Sequence, residues 1–209
     1  MKKEFKLGDM FDIENTWVYG KNKNWKSRYP EPTSKTVPVI SGLTINNGEN
    51  YYTTDTYTAE ECFEDCLTIS TRGEYSGTVT YHEGKFVLAN NILAMPMPNW
   101  NTQCKLYLMT CINKLAYGGY QNYPTKDSLK EDKVLLPIKT DSGNNPVIDS
   151  THQYHEQGFV PDFDYMQHRI EELERNRIEE LERYLVATGL NDYELTEEDI
   201  QILSLWFQE

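Results

Sequence analysis

Between residues 169 and 185 the chain reads RIEELERNRIEELERYL: a seven-residue phrase, one Asn, and the phrase again. Such a run suits only a helix with most of its circumference in water. The surrounding stretch, VPDFDYMQHRIEELERNRIEELERYLVATGL (160–190), supplies both ends. Pro161 and Asp162 suit a helix start, and Gly189 suits the position just past the last turn. A helix over 163–187 is about 37 Å long. Its apolar stripe runs through Met166, Ile170, Leu173, Leu181 and Tyr184, with Arg177 in the middle. A repeat of eight advances roughly 80° beyond two full turns, so Ile178 and Leu185 fall to one side of that line. The eleven-residue spacings, Ile170 to Leu181 and Met166 to Arg177, suit a nearly straight helix pair better than a left-handed supercoil. Met166, Ile170, Leu173, Arg177, Ile178, Leu181 and Leu185 are therefore the candidate helix-pairing residues. Arg177 either snorkels along its stem to water or sets register against a partner.

This helix explains the charge of the whole. The net charge is -13 over 209 residues, which argues at first against a nucleic-acid partner. Residues 1–139, however, hold 16 basic and 16 acidic side chains, whereas 140–209 hold 4 and 17. The acidic excess belongs to the last third, and the two parts are not expected to share one surface role. No apolar run approaches the roughly 18 residues needed to cross a bilayer. MKKEFKLGDMF lacks the apolar centre of a signal peptide, so a cytoplasmic location is the default. Cys62, Cys66, Cys104 and Cys111 are then expected to be reduced and structural.

The neutral part reads as mostly β. VPVISG (37–42), NYYTTDTY (50–57), CLTIST (66–71), GTVTYH (77–82), KFVLAN (85–90) and KVLLPIK (133–139) are short β-branched or aromatic runs punctuated by Gly, Asn and Pro. HEGKF (82–86) reads as a hairpin turn, and the two Pro of ILAMPMPN (92–99) predict an edge or irregular strand. TAEECFED (58–65) and NTQCKLYLMTCINKLAY (101–117) are helix candidates, the first with a Thr58…Glu61 capping pattern. In the second, Met109, Ile112, Leu115 and Ala116 share a face. The expected fold class is α+β: a curved or barrel-like sheet with flanking helices over 1–140, a polar connector over 141–160, the long helix over 161–188, and a short helical segment over 189–209. In that last segment Thr196 and Asp199 mark a start, and Ile200, Leu203 and Phe207 form a stripe.

No phosphate-binding loop, dinucleotide fingerprint, nucleophile elbow or HExxH motif occurs. The cysteine spacings do not fit a zinc finger, and His152 and His155 lie in the polar connector, so no metal site is expected. Glu4/Lys6, Glu83/Lys85 and Glu131/Lys133 have the acid-x-Lys spacing of many nucleases, but a chain of this composition yields about two such pairs by chance. No catalytic residue is assigned.

Three segments carry chemistry suited to nucleic acid. YGKNKNWKSRYPEPTSK (19–35) brings Lys21, Lys23, Lys26 and Arg28 together with Trp25. Basic side chains neutralise phosphates, and aromatics can stack near bases. STRGEYSG (70–77) sets Arg72 and Tyr75 between two strands, and Arg is the commonest bidentate reader of guanine. YGGYQNYPTKDSLK (117–130) offers Tyr120, Gln121, Asn122, Tyr123 and Lys126, with Gly118 and Gly119 permitting close approach. Gln and Asn pair naturally with adenine edges, though a Tyr-rich loop is equally a feature of protein interfaces.

The order of segments resembles the target recognition domains of specificity subunits of type I restriction–modification systems, and the related parts of type IIG and BcgI-like enzymes. FKLGDMFDI opens the domain, RGEYSGTVTYHEGKFV resembles its central hairpin, and KEDKVLLPIK closes it. PDFDYM before the long helix resembles the spacer, and YLVATGLNDYELTEED the segment after it. Those subunits have two recognition units and two long helices; this sequence has one of each, as a half-sized subunit or a piece of a longer chain. The resemblance implies base reading in the major groove of double-stranded DNA. It implies helix pairing with a second copy or a second recognition unit, and docking of a DNA methyltransferase (modification) subunit and a restriction subunit. It places S-adenosylmethionine in that partner and no cofactor here. The competing readings are a recognition fragment of a single-chain restriction–methylation enzyme, or a protein-interaction module that does not bind DNA.

Overall fold

A computed structural model describes residues 1–21 and 24–190. The chain divides into two units, Met1–Ile170 and Glu171–Glu209. The helical end expected over 196–207 lies outside the described residues.

In the first unit the outermost strands in sequence close on each other. β1 (Lys2–Lys6) pairs antiparallel with β10 (Lys133–Pro137), Phe5 opposite Val134. Two four-stranded sheets lie between them in the chain. The first has the order β2 (Val18–Tyr19), β9 (Ile92–Met95), β6 (Cys66–Ser70), β7 (Val79–His82), all antiparallel. The second has the order β4 (Glu49–Thr53), β3 (Val37–Ile40), β8 (Phe86–Leu88), β5 (Cys62–Phe63), with β3 and β8 parallel. Among the described residues five α-helices occur: α1 (Leu7–Met10), α2 (Ile13–Thr16), α3 (Thr102–Ile112), α4 (Lys126–Glu131) and α5 (Phe163–Thr188), the last running on into the second unit. The main core joins Phe5, Trp17, Leu67, Leu93, Leu108 and Leu136. Each such buried side chain is worth about 1.5–3 kcal/mol. A smaller core joins Ile40, Phe86 and Leu88 of the second sheet to Cys66, Ile92 and Ala94 of the first.

The α+β class is as expected, but no sheet closes into a barrel among the described residues. The cause lies at HEGKF. β8 is paired on both edges, by β3 and β5, and so has no edge left for β7. The turn carries the chain from one sheet to the other and forms no hairpin; the hairpin is β6–β7. β9 is likewise interior, with all four residues buried, because Pro96 and Pro98 fall beyond its last ladder bond. In the 58–65 stretch the Thr58 N–H does donate to the Glu61 carboxylate at 3.0 Å. Only a single 3-10 turn, Ala59–Glu61, follows, because Cys62 and Phe63 pair with Val87 and Phe86. α3 stops at Ile112 and buries Cys104, Lys105, Tyr107, Leu108 and Ile112; of the expected face Ile112 is buried, and Met109 and Leu115 pack partly buried against the same core. Beyond α3 the Asn113 amide brackets Val79 of β7, accepting from its N–H at 2.8 Å and donating to its carbonyl at 3.0 Å.

The polar stretch 141–160 is tied down within this unit. His155 packs edge-on against Phe5 and Phe159, with centroids 5.3 and 5.0 Å apart, and Tyr154 meets Phe163 at 5.7 Å. α5 begins as read: the Asp162 carboxylate accepts from the Tyr165 N–H at 3.0 Å. Two expected helix-pairing residues need correction. Met166 and Ile170 are buried in the main core of Met1–Ile170 and are not available to a partner helix. Hydrophobicity at helical spacing does not reveal which neighbour it will meet.

The described part of the second unit continues α5 to Thr188. Two ion pairs lie within it: Arg177–Glu180 at 2.8 Å and Arg183–Glu179 at 3.2 Å. Leu173, Ile178, Leu181 and Tyr184 are exposed. Gly189 takes φ +70°, and the Leu190 N–H closes on the Leu185 carbonyl at 2.9 Å, which ends the helix where the sequence predicts.

Candidate nucleic-acid interface

Antiparallel pairing brings four strand ends to one end of the first sheet. β2 and β6 leave there, while β9 and β7 enter. The Gly20 N–H donates to the Ile92 carbonyl at 2.7 Å, and the Thr71 N–H to the Asn91 carbonyl at 2.8 Å. Lys21 and Arg72 therefore lie just past the ends of β2 and β6, the two strands that flank β9. The 71–78 turn is closed by Gly77 N–H donating to the Ser70 carbonyl at 2.7 Å.

Onto this turn docks the 117–123 loop. The Gly119 N–H donates to the Glu74 carbonyl at 3.3 Å, and Ser76 Oγ donates to the Gly119 carbonyl at 2.8 Å. The Tyr117 hydroxyl donates to the Asp132 carboxylate and lies 2.8 Å from Ser128 Oγ. Burial and the neighbouring Asp132 push its pKa well up, so it stays a proton donor. Gly77, at φ +88°, lets Tyr117 pack against it: a Cβ there would lie 2.3 Å from that of Tyr117. The two loops bring the Arg72 guanidinium over the Tyr123 ring, 5.2 Å from its centroid. At the far end of the loop the Lys126 N–H donates to the Tyr19 hydroxyl at 3.1 Å, and its Nζ donates to the Glu14 carbonyl at 2.7 Å.

Of the expected contact residues, Lys21, Arg72, Tyr75, Tyr120, Tyr123, Gln121 and Lys126 thus belong to this end or to the loops docked on it. Tyr75 and Gln121 are exposed, and Tyr120 is 79% exposed. Asn122 is also exposed, but its Nδ2 donates to the Ala116 carbonyl and closes the loop from within. Trp25 is a correction. It is 2% exposed, packs with Val39 and Val87, and donates its indole N–H to the Leu88 carbonyl at 2.9 Å. It is the anchor of the basic segment, not a contact residue. Arg28 is held over the Tyr51 ring at 4.7 Å, and its Nε donates to the Trp25 carbonyl at 3.4 Å. The Lys26 side chain is exposed, while its N–H donates to the Asp55 carboxylate. Hydrogen bonds from Ser27 and Lys26 hold that carboxyl below the usual range. Lys23 lies outside the described residues.

Ser76, Gly77 and the 41–48 loop escaped the sequence reading, whereas Tyr19 and Tyr117 lie in segments it singled out. A Cβ on Gly42 would come 2.7 Å from Ser70 Oγ, and Leu43 and Ile45 are exposed beyond it. Only the glycine at 77 and the Tyr density around 117 hinted at a close approach.

Among the described residues no group of three or more His, Cys, Asp or Glu could hold a metal. All four cysteines are free. Burial pushes the Cys66 thiol up to about 12 and the Cys104 thiol to about 11, so neither is poised as a nucleophile. No described helix is long and apolar enough to cross a membrane.

Comparison with known proteins gives this geometry a context. No curated protein matches the chain significantly. The HsdS subunit from Thermoanaerobacter tengcongensis superposes with a TM-score of 0.50 at 12% identity, over 88% of this chain and 39% of that one. The S subunit of a type I restriction-modification system from M. genitalium gives 0.49 at 15% identity, over 90% and 43%. The chain spans about two fifths of the length of these structures. The first of these likenesses is one of fold. A family model described as the type I restriction modification DNA specificity domain matches residues 2–183, most of the chain. The chain belongs to that family.

Proposed function

We propose that this chain recognises a DNA sequence on behalf of a restriction–modification complex and performs no chemistry itself. The observation that carries the reading is the specificity-domain match over residues 2–183. The sheet end supports it: Lys21, Arg72 and Lys126 lie among exposed Tyr75 and Tyr120 on docked loops. Cations there neutralise phosphates, and Arg, Gln and Tyr side chains reach or stack on bases. Residues 1–140 form the recognition unit, with 141–160 as connector and 161–188 as spacer helix. Leu173, Ile178, Leu181 and Leu185 of that helix pair with a helix of a second copy or a second recognition unit, which fixes the half-site spacing. The acidic helix is repelled by phosphate and faces protein. A DNA methyltransferase subunit docks on the assembly and brings S-adenosylmethionine; a restriction subunit joins that complex.

The test uses the full chain with and without a modification subunit. Together, with S-adenosylmethionine, they methylate one defined sequence. The chain alone, given duplex DNA, magnesium and S-adenosylmethionine, neither cuts nor methylates. Cleavage or methyl transfer by the isolated chain would overturn the reading.

A further inference from the structure

We propose that Arg72 reads a guanine of the target duplex and that Tyr123 is the positioning residue for its guanidinium, an inference that rests on the chain being a DNA-recognition domain. Arg72 stands two residues past the end of β6, a strand with every residue buried, and Thr71 between them is buried as well. Its carbonyl accepts from Ser70 Oγ at 3.2 Å, so its backbone is fixed while its side chain is exposed. Gly73, at φ +93° with nothing within 4 Å of a Cβ placed there, turns the chain away and leaves open space beside it.

Among the described residues the Arg72 guanidinium has no hydrogen-bond or ion-pair partner. That sets it apart from Arg28, Lys126 and Lys130. Arg28 donates to the Trp25 carbonyl, Lys126 to the Glu14 carbonyl, and Lys130 pairs with Glu14 at 2.7 Å. What Arg72 has is the Tyr123 ring, on a loop closed by the Gly118 N–H donating to the Asn122 carbonyl at 2.8 Å and docked through Ser76 and Gly119. A guanidinium lying on a ring keeps its fork of N–H donors directed outward along its plane. That fork matches the O6 and N7 acceptors of guanine in the major groove. A phosphate contact needs only a charge, which Lys21 supplies without orientation.

The test is selection from duplexes carrying a randomised core, using the full chain. Wild type enriches a motif containing at least one fixed G·C pair. Arg72→Ala relaxes one such position, with discrimination there falling roughly 5- to 150-fold and the other positions unchanged. Tyr123→Ala relaxes the same position in part, and Tyr123→Phe restores it because the ring remains. Lys21→Ala weakens binding to all sequences alike and lowers the salt dependence. Thermal unfolding confirms that each variant is folded. Uniform loss in Arg72→Ala, which marks a phosphate contact, overturns the assignment, and so does an unchanged motif. Failure of wild type to enrich any sequence defeats the DNA-recognition reading as well, whereas an enriched motif that Arg72→Ala leaves intact defeats this inference alone.

Discussion

The turn at 71–77 and the helix at 171–188 are both exposed and charged, yet they are held in opposite ways. Beyond its own closing bonds, the turn is tied to segments far along the chain: Gly119 bonds Glu74 and Ser76, Tyr117 packs on Gly77, and Tyr123 lies under Arg72. The helix holds itself. Its ion pairs join residues three or four apart, each worth about 0.2–0.5 kcal/mol, and its apolar side chains meet water. A few oriented cations on a neutral unit suit recognition by geometry. A regular acidic rod with a bare apolar line suits a second helix. The net charge of -13 averages a neutral part and an acidic one.

Substitutions can break that contrast, and the largest effect falls at Trp25. Trp25→Ala removes a buried ring and is expected to cost about 3–5 kcal/mol of stability, read as a fall in the urea midpoint. An unchanged midpoint with weakened DNA affinity would return Trp25 to the contact surface. Next is His82, buried with Nε2 3.0 Å from the hydroxyls of Thr68 and Thr80. Burial lowers its pKa to about 4 from 6.5. The unfolded chain therefore takes up this proton at a higher pH than the folded one. The associated stability is complete above pH 6.5 and is lost as pH falls towards 4, in total about 3 kcal/mol. Urea titrations of wild type and His82→Gln across that range should differ in slope; parallel curves would place the pH sensitivity elsewhere. The smallest effect is in the helix. Leu181→Asp should move the unfolding midpoint of the monomeric chain by less than about 0.5 kcal/mol. A large shift would mean that the exposed line is part of the chain's own core.

What was legible in the sequence was local. The strand runs at 37–40, 66–70, 79–82 and 133–137 fall where β-branched residues predict them, and α5 starts after Asp162 and stops before Gly189 for capping reasons. What was not legible depends on segments brought together from a distance. Trp25 looked like a surface aromatic among lysines, but its partner Leu88 lies 63 residues away. HEGKF looked like a hairpin because nothing in it reveals that β3 and β5 claim both edges of β8. Met166 and Ile170 share the periodicity of Leu173 and Leu181, yet only the first pair is buried. At the candidate interface residue types were readable one by one, whereas the pairing of Arg72 with Tyr123 across 51 positions of chain was not.

The most direct test of the division of roles is amide hydrogen exchange of the full chain with and without its selected duplex. Slowed exchange across 71–77 and 117–123, with 171–188 unchanged, is the expected result. Protection of 171–188 by DNA, with the two loops unaffected, would contradict it.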